Sequence, residues 1–378
     1  MTQQNKLHPE QLRLKGAAPV LAQRARSDRP PADPPTEGLA SPRMLSLEPL
    51  TSVEVCAGAG GQALGLEQAN FEHLACIEYD AQACETLRTN RPDWNIIEED
   101  LRQVVRDRRL RPFAECDLLA GGVPCPPFSI ASRQLGADDE RDLFPAVLDL
   151  TAQLSPRAVM VENVRGVLAV KFKPYRDYIL RRLDSLGYRR VWWNIVQAAD
   201  YGVAQLRPRA ILVALRDDVE GTFAWPVPEV ARRTVGEELV DLMGERGWEH
   251  AEAWAERANR VAPTLVGGSK KHGGPDLGPT RARAEWAAMG CDGRGLADIA
   301  PGPETPADHR PKLTVRMAAR LQGFDDDWEL SGRKTAQYRQ VGNAFPPPVA
   351  RAVGEQIAGA LAGADLAAEA ADRMLQLV

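Results

Sequence analysis

The amino-acid sequence predicts an α/β fold: a doubly wound, mostly parallel sheet with a second, smaller domain. Two observations carry that expectation. From residue 50 to about residue 218, short apolar runs alternate with amphipathic stretches of helical spacing, and strands that return by way of helices pair in parallel, with helices covering both faces. After residue 218 the rhythm stops. Residues 219–312 are rich in Gly and Pro, carry Trp225, Trp248, Trp254 and Trp286, and show no clear strand and helix alternation. At 378 residues the chain is long enough for two domains.

The elements follow in order. Residues 1–49 contain SDRPPADPPTEG and little apolar periodicity, with seven Lys or Arg against four Asp or Glu in residues 1–43; they read as a disordered, slightly basic arm. Within residues 50–218, strands are expected at LTSVEVC, HLACIEYD, WNIIEED, CDLLAGG, RAVMVENV, RRVWWNIVQ and RAILVALR, and helices at QALGLEQA, AQACETLRTN, DLFPAVLDLTAQL and YRDYILRRLDSLG. Residues 313–378 regain helical spacing in LTVRMAARLQGF, then show a Gly-Asn turn, a proline block and a long amphipathic helix. They are expected to return to the first domain.

Composition narrows the function. A formal net charge of −5 gives no bulk attraction for a polyanion, so any nucleic-acid surface must come from local clusters of Lys and Arg. Six cysteines form no CxxC pair, and neither a signal peptide nor a bilayer-spanning stretch is visible. A cytoplasmic setting with free thiols and no membrane partner is expected. No His/Cys cluster suggests a metal.

The first strand ends in CAGAGG, where Ala57, Gly58, Gly60 and Gly61 form a turn into a helix. Glycines there let the backbone approach a ligand at a helix N-terminus, although such a turn alone is often only a tight turn. The next strand ends in Glu78, Tyr79 and Asp80, and the third in Asp100. Acids at that distance accept hydrogen bonds from ribose hydroxyls, and Tyr79 could stack on an adenine; singly, each acid reads equally well as a solvated strand end. Jointly they favour an adenosine moiety. The fourth strand leads into GGVPCPPFS, where Pro124, Pro126 and Pro127 fix the backbone around Cys125 and aim its thiol into the crevice. A single cysteine is more often an inert small hydrophobe, and it needs activation to act as a thiolate. Glu162 closes the apolar run of the fifth strand, a setting that raises a carboxyl pKa, or else serves a salt bridge.

CAGAGG, IEYD, GGVPCPPFS, VENV, QLRPR and LQGF followed by VGNAFPPPVA stand in the order and approximate spacing of the cytosine-5 DNA methyltransferases. The resemblance covers most of residues 50–218 and 312–360. It implies the Rossmann-like methyltransferase fold, with a target-recognition domain at residues 219–312, S-adenosylmethionine as cofactor and double-stranded DNA as partner. It further implies that Cys125 adds to C6 of a flipped-out cytosine, that Glu162 meets N3, and that Arg209 holds the flipped base, with Gln205 and Arg207 as its supporting motif. Glu78, Tyr79, Asp100 and Asn343 match cofactor-holding positions. A monomer is expected, the modification enzyme of a restriction-modification system or an orphan methylase, with a possible cognate restriction endonuclease. The alternative with the same catalytic core is a transfer-RNA cytosine-5 methyltransferase.

Three motifs depart from the family pattern. Glu54, Val55 and Cys56 stand where the family usually has Asp-Leu-Phe, so an aromatic contact to the cofactor is lost or supplied elsewhere; Pro126 stands where it often has Gln, and Met317 where it commonly has Glu. In residues 267–283, four Lys or Arg stand against one Asp among Gly and Pro. Such a loop can enter a groove, with Lys270 and Lys271 suited to phosphates and Arg281 or Arg283 to guanine edges, or remain a solvated loop. Thr264 and Leu265 resemble the family's recognition-region Thr-Leu pair. Residues 219–260, with nine acidic against five basic residues, are expected to face away from DNA.

Overall fold

The computed structural model describes residues 48–124, 142–228, 231–268 and 276–368. In chain order its elements are β1 Leu50–Val55, α1 Gly61–Gln68, β2 Phe71–Glu78, α2 Ala81–Asn90, β3 Ile96–Glu98, α3 Leu101–Arg106, β4 Leu118–Gly122, α4 Phe144–Leu154, β5 Ala158–Val164, α5 Lys173–Ser185, β6 Arg190–Gln197, β7 Gln205–Leu206 and β8 Pro208–Leu215. There follow α6 Val235–Gly244, α7 Ala251–Arg257, β9 Ala262–Pro263, α8 Thr280–Ala288, α9 Val315–Leu321, α10 Lys334–Asn343 and α11 Pro347–Leu361.

Seven strands form one sheet in the order β3-β2-β1-β4-β5-β8-β6. The β1–β2, β1–β4, β2–β3 and β4–β5 pairs are parallel, whereas β8 runs antiparallel to both β5 and β6. The chain moves outward from β1 to β3 and then crosses back to β4, so the strand order reverses between β1 and β4. The carboxyl ends of those two strands therefore frame the ligand crevice of an open α/β sheet. Helices cover both faces: α3, α4 and α5 bury Val104, Leu150 and Ile179 on one side, while α11 buries Val353 and Ile357 on the other with Leu66 of α1. Gly65 of α1 is a glycine for packing, because a Cβ there would lie 2.3 Å from the Pro347 carbonyl oxygen.

Residues 219–312 prove more regular than their composition suggests, holding α6, α7 and α8. Their tryptophans explain it. Trp248, Trp254 and Trp286 are buried in a cluster that also takes Ala57, Leu64 and Leu87 from the first part of the chain. A capping box starts α6, with Thr234 Oγ1 accepting from the Glu237 amide and the Glu237 carboxylate accepting from the Thr234 amide. Short β9 pairs in parallel with β7.

Candidate active site

At the end of β1 the chain turns through left-handed residues, with φ of +55° at Cys56, +55° at Gly58 and +86° at Gly60. The three glycines of this turn have different reasons to be glycine. A Cβ at Gly60 would meet Leu87 and Trp328 at 2.7 and 2.9 Å, and one at Gly61 would meet the Phe345 carbonyl oxygen at 2.3 Å. Those two are packing positions. At Gly58 a Cβ would meet nothing within 4 Å, so that residue faces open space. Trp328, far along the chain and in no motif, braces the turn by donating its indole N–H to the Ala59 carbonyl at 3.0 Å.

Glu78 ends β2 beside the turn. Its Oε2 accepts from the Gly58 amide at 2.8 Å, and its Oε1 accepts from the amides of Tyr79 and Asp80 at 2.9 and 2.8 Å. Burial pushes this carboxyl up, and the three amides hold it back. A carboxylate has about four acceptor positions, so one remains on Oε2 for a ligand hydroxyl. Tyr79 next to it is 69% exposed. Asp100 caps α3 by accepting from the Arg102 amide at 2.7 Å and pairs with the Arg102 guanidinium at 3.6 Å. Asn343 closes α10 and donates to the Gly268 carbonyl at 3.2 Å. Cys56 brings no aromatic ring to the turn; burial pushes its thiol far up.

The neighbouring strands carry the second half of the site. Glu162, near the end of β5, and Arg209, at the start of β8, meet with Arg209 Nε 2.7 Å from Glu162 Oε1. Glu162 is buried, and the Arg209 side chain is 13% exposed. Burial pushes the Glu162 carboxyl up while Arg209 and then Arg207 pull it down; burial also lowers the Arg209 guanidinium. The Glu162 carboxylate lies against Gly122, where a Cβ would stand 3.3 Å from Oε2. Asn163 Nδ2 donates to the Val123 carbonyl at 3.2 Å, fixing the end of β4. Cys125 lies outside the described residues, as do Lys270 and Lys271; Val123 is two positions before Cys125 in the chain.

This places a buried carboxylate and guanidinium pair beside the strand that leads into the proline-fenced cysteine, across from a glycine turn with an acid behind it. The family model of the C-5 cytosine-specific DNA methylases matches residues 50–359. The chain belongs to that family. It is a DNA (cytosine-5-)-methyltransferase. The methylase is 53% identical over 318 residues to the Type II methyltransferase M.NaeI of Lentzea aerocolonigenes, covering 83% of this chain and 76% of that protein. It is 50% identical over 317 residues to the Type II methyltransferase M.NgoMIV of Neisseria gonorrhoeae, covering 82% and 98%. Its fold resembles the solved structure of the Entamoeba histolytica methyltransferase EhMeth, with a TM-score of 0.58 at 15% identity, covering 82% and 98% of the two chains.

In the methylase, Gln205 and Arg207 sit behind the pair. Arg207 is fully buried and donates to backbone carbonyls rather than to a carboxylate. Thr264 Oγ1 donates to the Leu206 carbonyl at 2.5 Å. On α8, Arg281 is 92% exposed along its side chain and pairs with Glu285 one turn on, whereas Arg283 is drawn to Asp276 at 3.7 Å and Thr280 at 3.3 Å. Met317 completes the start of α9: Thr314 Oγ1 accepts from the Met317 amide, and the Thr314 amide donates to Met317 Sδ at 3.4 Å.

Proposed function

We propose that this methylase moves a methyl group from S-adenosylmethionine to C5 of a cytosine extruded from double-stranded DNA, through a covalent bond between Cys125 Sγ and C6. The observation that supports it most is the buried Glu162–Arg209 pair, seated against Gly122 at the end of the strand leading to Cys125. A cytosine within the stack cannot present C5 and C6 to a crevice, so the base must leave the duplex. Glu162, its carboxyl pushed up by burial, holds a proton at N3 and draws electron density from the ring. Arg209 fixes the carboxyl and the extruded base. Addition of the Cys125 thiolate to C6 sends an electron pair to C5, which bonds to the methyl carbon as the sulfur–methyl bond breaks and the sulfur keeps its electron pair as a neutral thioether. Loss of the C5 proton to a base then expels Cys125 as thiolate and restores the ring.

Bound S-adenosylmethionine supplies an electrophilic methyl on a sulfonium sulfur. The residues present fit it. Gly58 leaves open space beside the turn, Glu78 keeps one acceptor for a ribose hydroxyl, and the exposed Tyr79 offers its ring to an adenine. In this reading Ala57, Gly60 and Gly61 shape the turn from behind, and Asp100 and Asn343 complete the cofactor wall.

Residues 219–312 serve as the target-recognition domain, with Thr264, Lys270, Lys271, Arg281 and Arg283 toward DNA. In this reading the chain is a modification enzyme of the Type II kind, which the relatives at 50 and 53% identity, both Type II methyltransferases, support. The same relatives count against a transfer-RNA substrate. The test is transfer of labelled methyl from S-adenosylmethionine to DNA and to RNA by the native enzyme and by Cys125→Ser. Transfer to DNA alone, abolished in the variant while its fold and cofactor binding persist, is expected; appreciable turnover by the variant would refute the nucleophile.

A further inference from the structure

Arg207 is a fully buried cation with backbone oxygens as its partners. Its Nη1 donates to the Leu265 carbonyl at 2.8 Å and to Gln205 Oε1 at 3.4 Å, and its Nη2 donates to the carbonyls of Gly342 and Ala344 at 2.8 and 2.9 Å. Its Nε has no hydrogen-bond partner among the described residues. A buried charge is costly, and apolar side chains of like volume often serve structure equally well. The partners suggest what the charge does. The carbonyls belong to two segments, 58 and 135 to 137 residues away in the chain, which Arg207 joins.

The segment 264–268 is tied down on both sides. Gln205 Oε1 accepts from the Leu265 amide at 2.9 Å, while Gln205 Nε2 donates to Gln322 Oε1 at 2.8 Å. Thr264 bonds to Leu206, and Asn343 bonds to Gly268. Between them the backbones cross so closely that a Cβ at Gly267 would lie 2.4 Å from the Arg339 carbonyl oxygen, and one at Gly342 would lie 2.3 Å from the Gly267 nitrogen. Val266 stays exposed in the middle of this clamp. The segment opens the basic loop, and Arg207 stands two residues before Arg209.

We propose that Arg207 is a positioning residue that seats the segment 264–268 against the Glu162–Arg209 pair, so that DNA is engaged in register with the site of chemistry. The proposal rests on the reading of that segment as a DNA contact. Fully buried, Arg207 is placed to act on DNA through the segment it holds.

The test is steady-state methylation of unmethylated genomic DNA with labelled S-adenosylmethionine, together with calorimetry of S-adenosylmethionine binding without DNA. Arg207→Lys keeps a charge but cannot span Leu265 and Gly342 from one ammonium. It should raise KM for DNA about tenfold, as expected for one lost net hydrogen bond, with kcat and cofactor affinity close to native. Gly267→Ala displaces the same segment while leaving the cation intact, and should show the same split. A fall in kcat with KM for DNA unchanged would overturn the proposal, placing Arg207 in service of the catalytic pair. Should Arg207→Lys fail to fold, Gly267→Ala decides, and an unchanged KM for DNA in that variant overturns it. A native enzyme that transfers no methyl to DNA would remove the reading of the segment and the proposal together.

Discussion

Glu54→Gln should remove a pH-dependent penalty from the centre of the sheet. Glu54 is completely buried on β1, where Gln62 Nε2 donates to its Oε2 at 3.2 Å, and its Oε1 and Gln62 Oε1 have no partner among the described residues. Burial pushes its carboxyl from the ordinary 4.5 up to about 8, with the Gln62 bond acting the other way. The unfolded chain therefore loses this proton from pH 4.5 upward while the folded chain keeps it to about pH 8. The native state holds more protons in that window, so its stability is full below pH 4.5 and declines as pH rises, by about 1.4 kcal/mol per pH unit. Across the span from about pH 5 to about pH 8 the loss is about 3 to 4 kcal/mol. Glutamine cannot ionise, so urea unfolding at several pH values should show the variant gaining that amount on the native chain as pH rises. His73, Glu78 and Glu162 titrate in both proteins and cancel in the difference. Parallel stability profiles for the two would refute the assignment of a protonated Glu54.

Gly58→Ala should bind S-adenosylmethionine more weakly while keeping its melting temperature within a few degrees, since its Cβ meets open space and the left-handed backbone costs about 1 to 2 kcal/mol. Gly60→Ala should instead lower the melting temperature, because Leu87 and Trp328 must move; calorimetric binding and thermal unfolding on both variants separate the roles. Glu162→Gln should reduce single-turnover methyl transfer about a hundredfold or more, and native transfer should slow as pH rises through the raised value of Glu162, as its proton is lost. Arg281→Ala should cost about 1 to 3 kcal/mol on the correct duplex and relax discrimination at one base pair, whereas Arg283→Ala should cost less, its guanidinium being held by Asp276 and Thr280. Titration with matched and mismatched duplexes reads the difference.

Strands β1, β2, β4 and β5 were legible because parallel strands covered on both faces are near-continuous apolar runs. Short elements were not: α3 has six residues, and β7 and β9 two each, too few to show a period. In α8, TRARAEWAA buries only Ala282 and Trp286, so its apolar stripe vanishes among arginines and alanines. Glu162 and Arg209 could be named from their motifs, and the structure brings them into contact. The sequence could not tell Gly58 from Gly60, since the difference lies in Leu87 and Trp328, far along the chain. Nor could it show what Arg207 holds, because its partners are main-chain oxygens and leave no trace in side-chain pattern.

The antiparallel pairing of β5 with β8 brings Glu162 from the finish of one strand to Arg209 at the outset of another running the opposite way, with Val164 facing Arg209 in the ladder. Their separation is therefore set by the pleat and not by the residues that connect them. Extra residues at the turn after α5, where Gly187 already adopts a left-handed backbone, would lengthen the excursion without altering the pair. A slip of one residue between β5 and β8 would do the reverse, turning Arg209 to the far face with every length preserved. This part of the site should accordingly tolerate insertion in its connections and no change of register in its ladder.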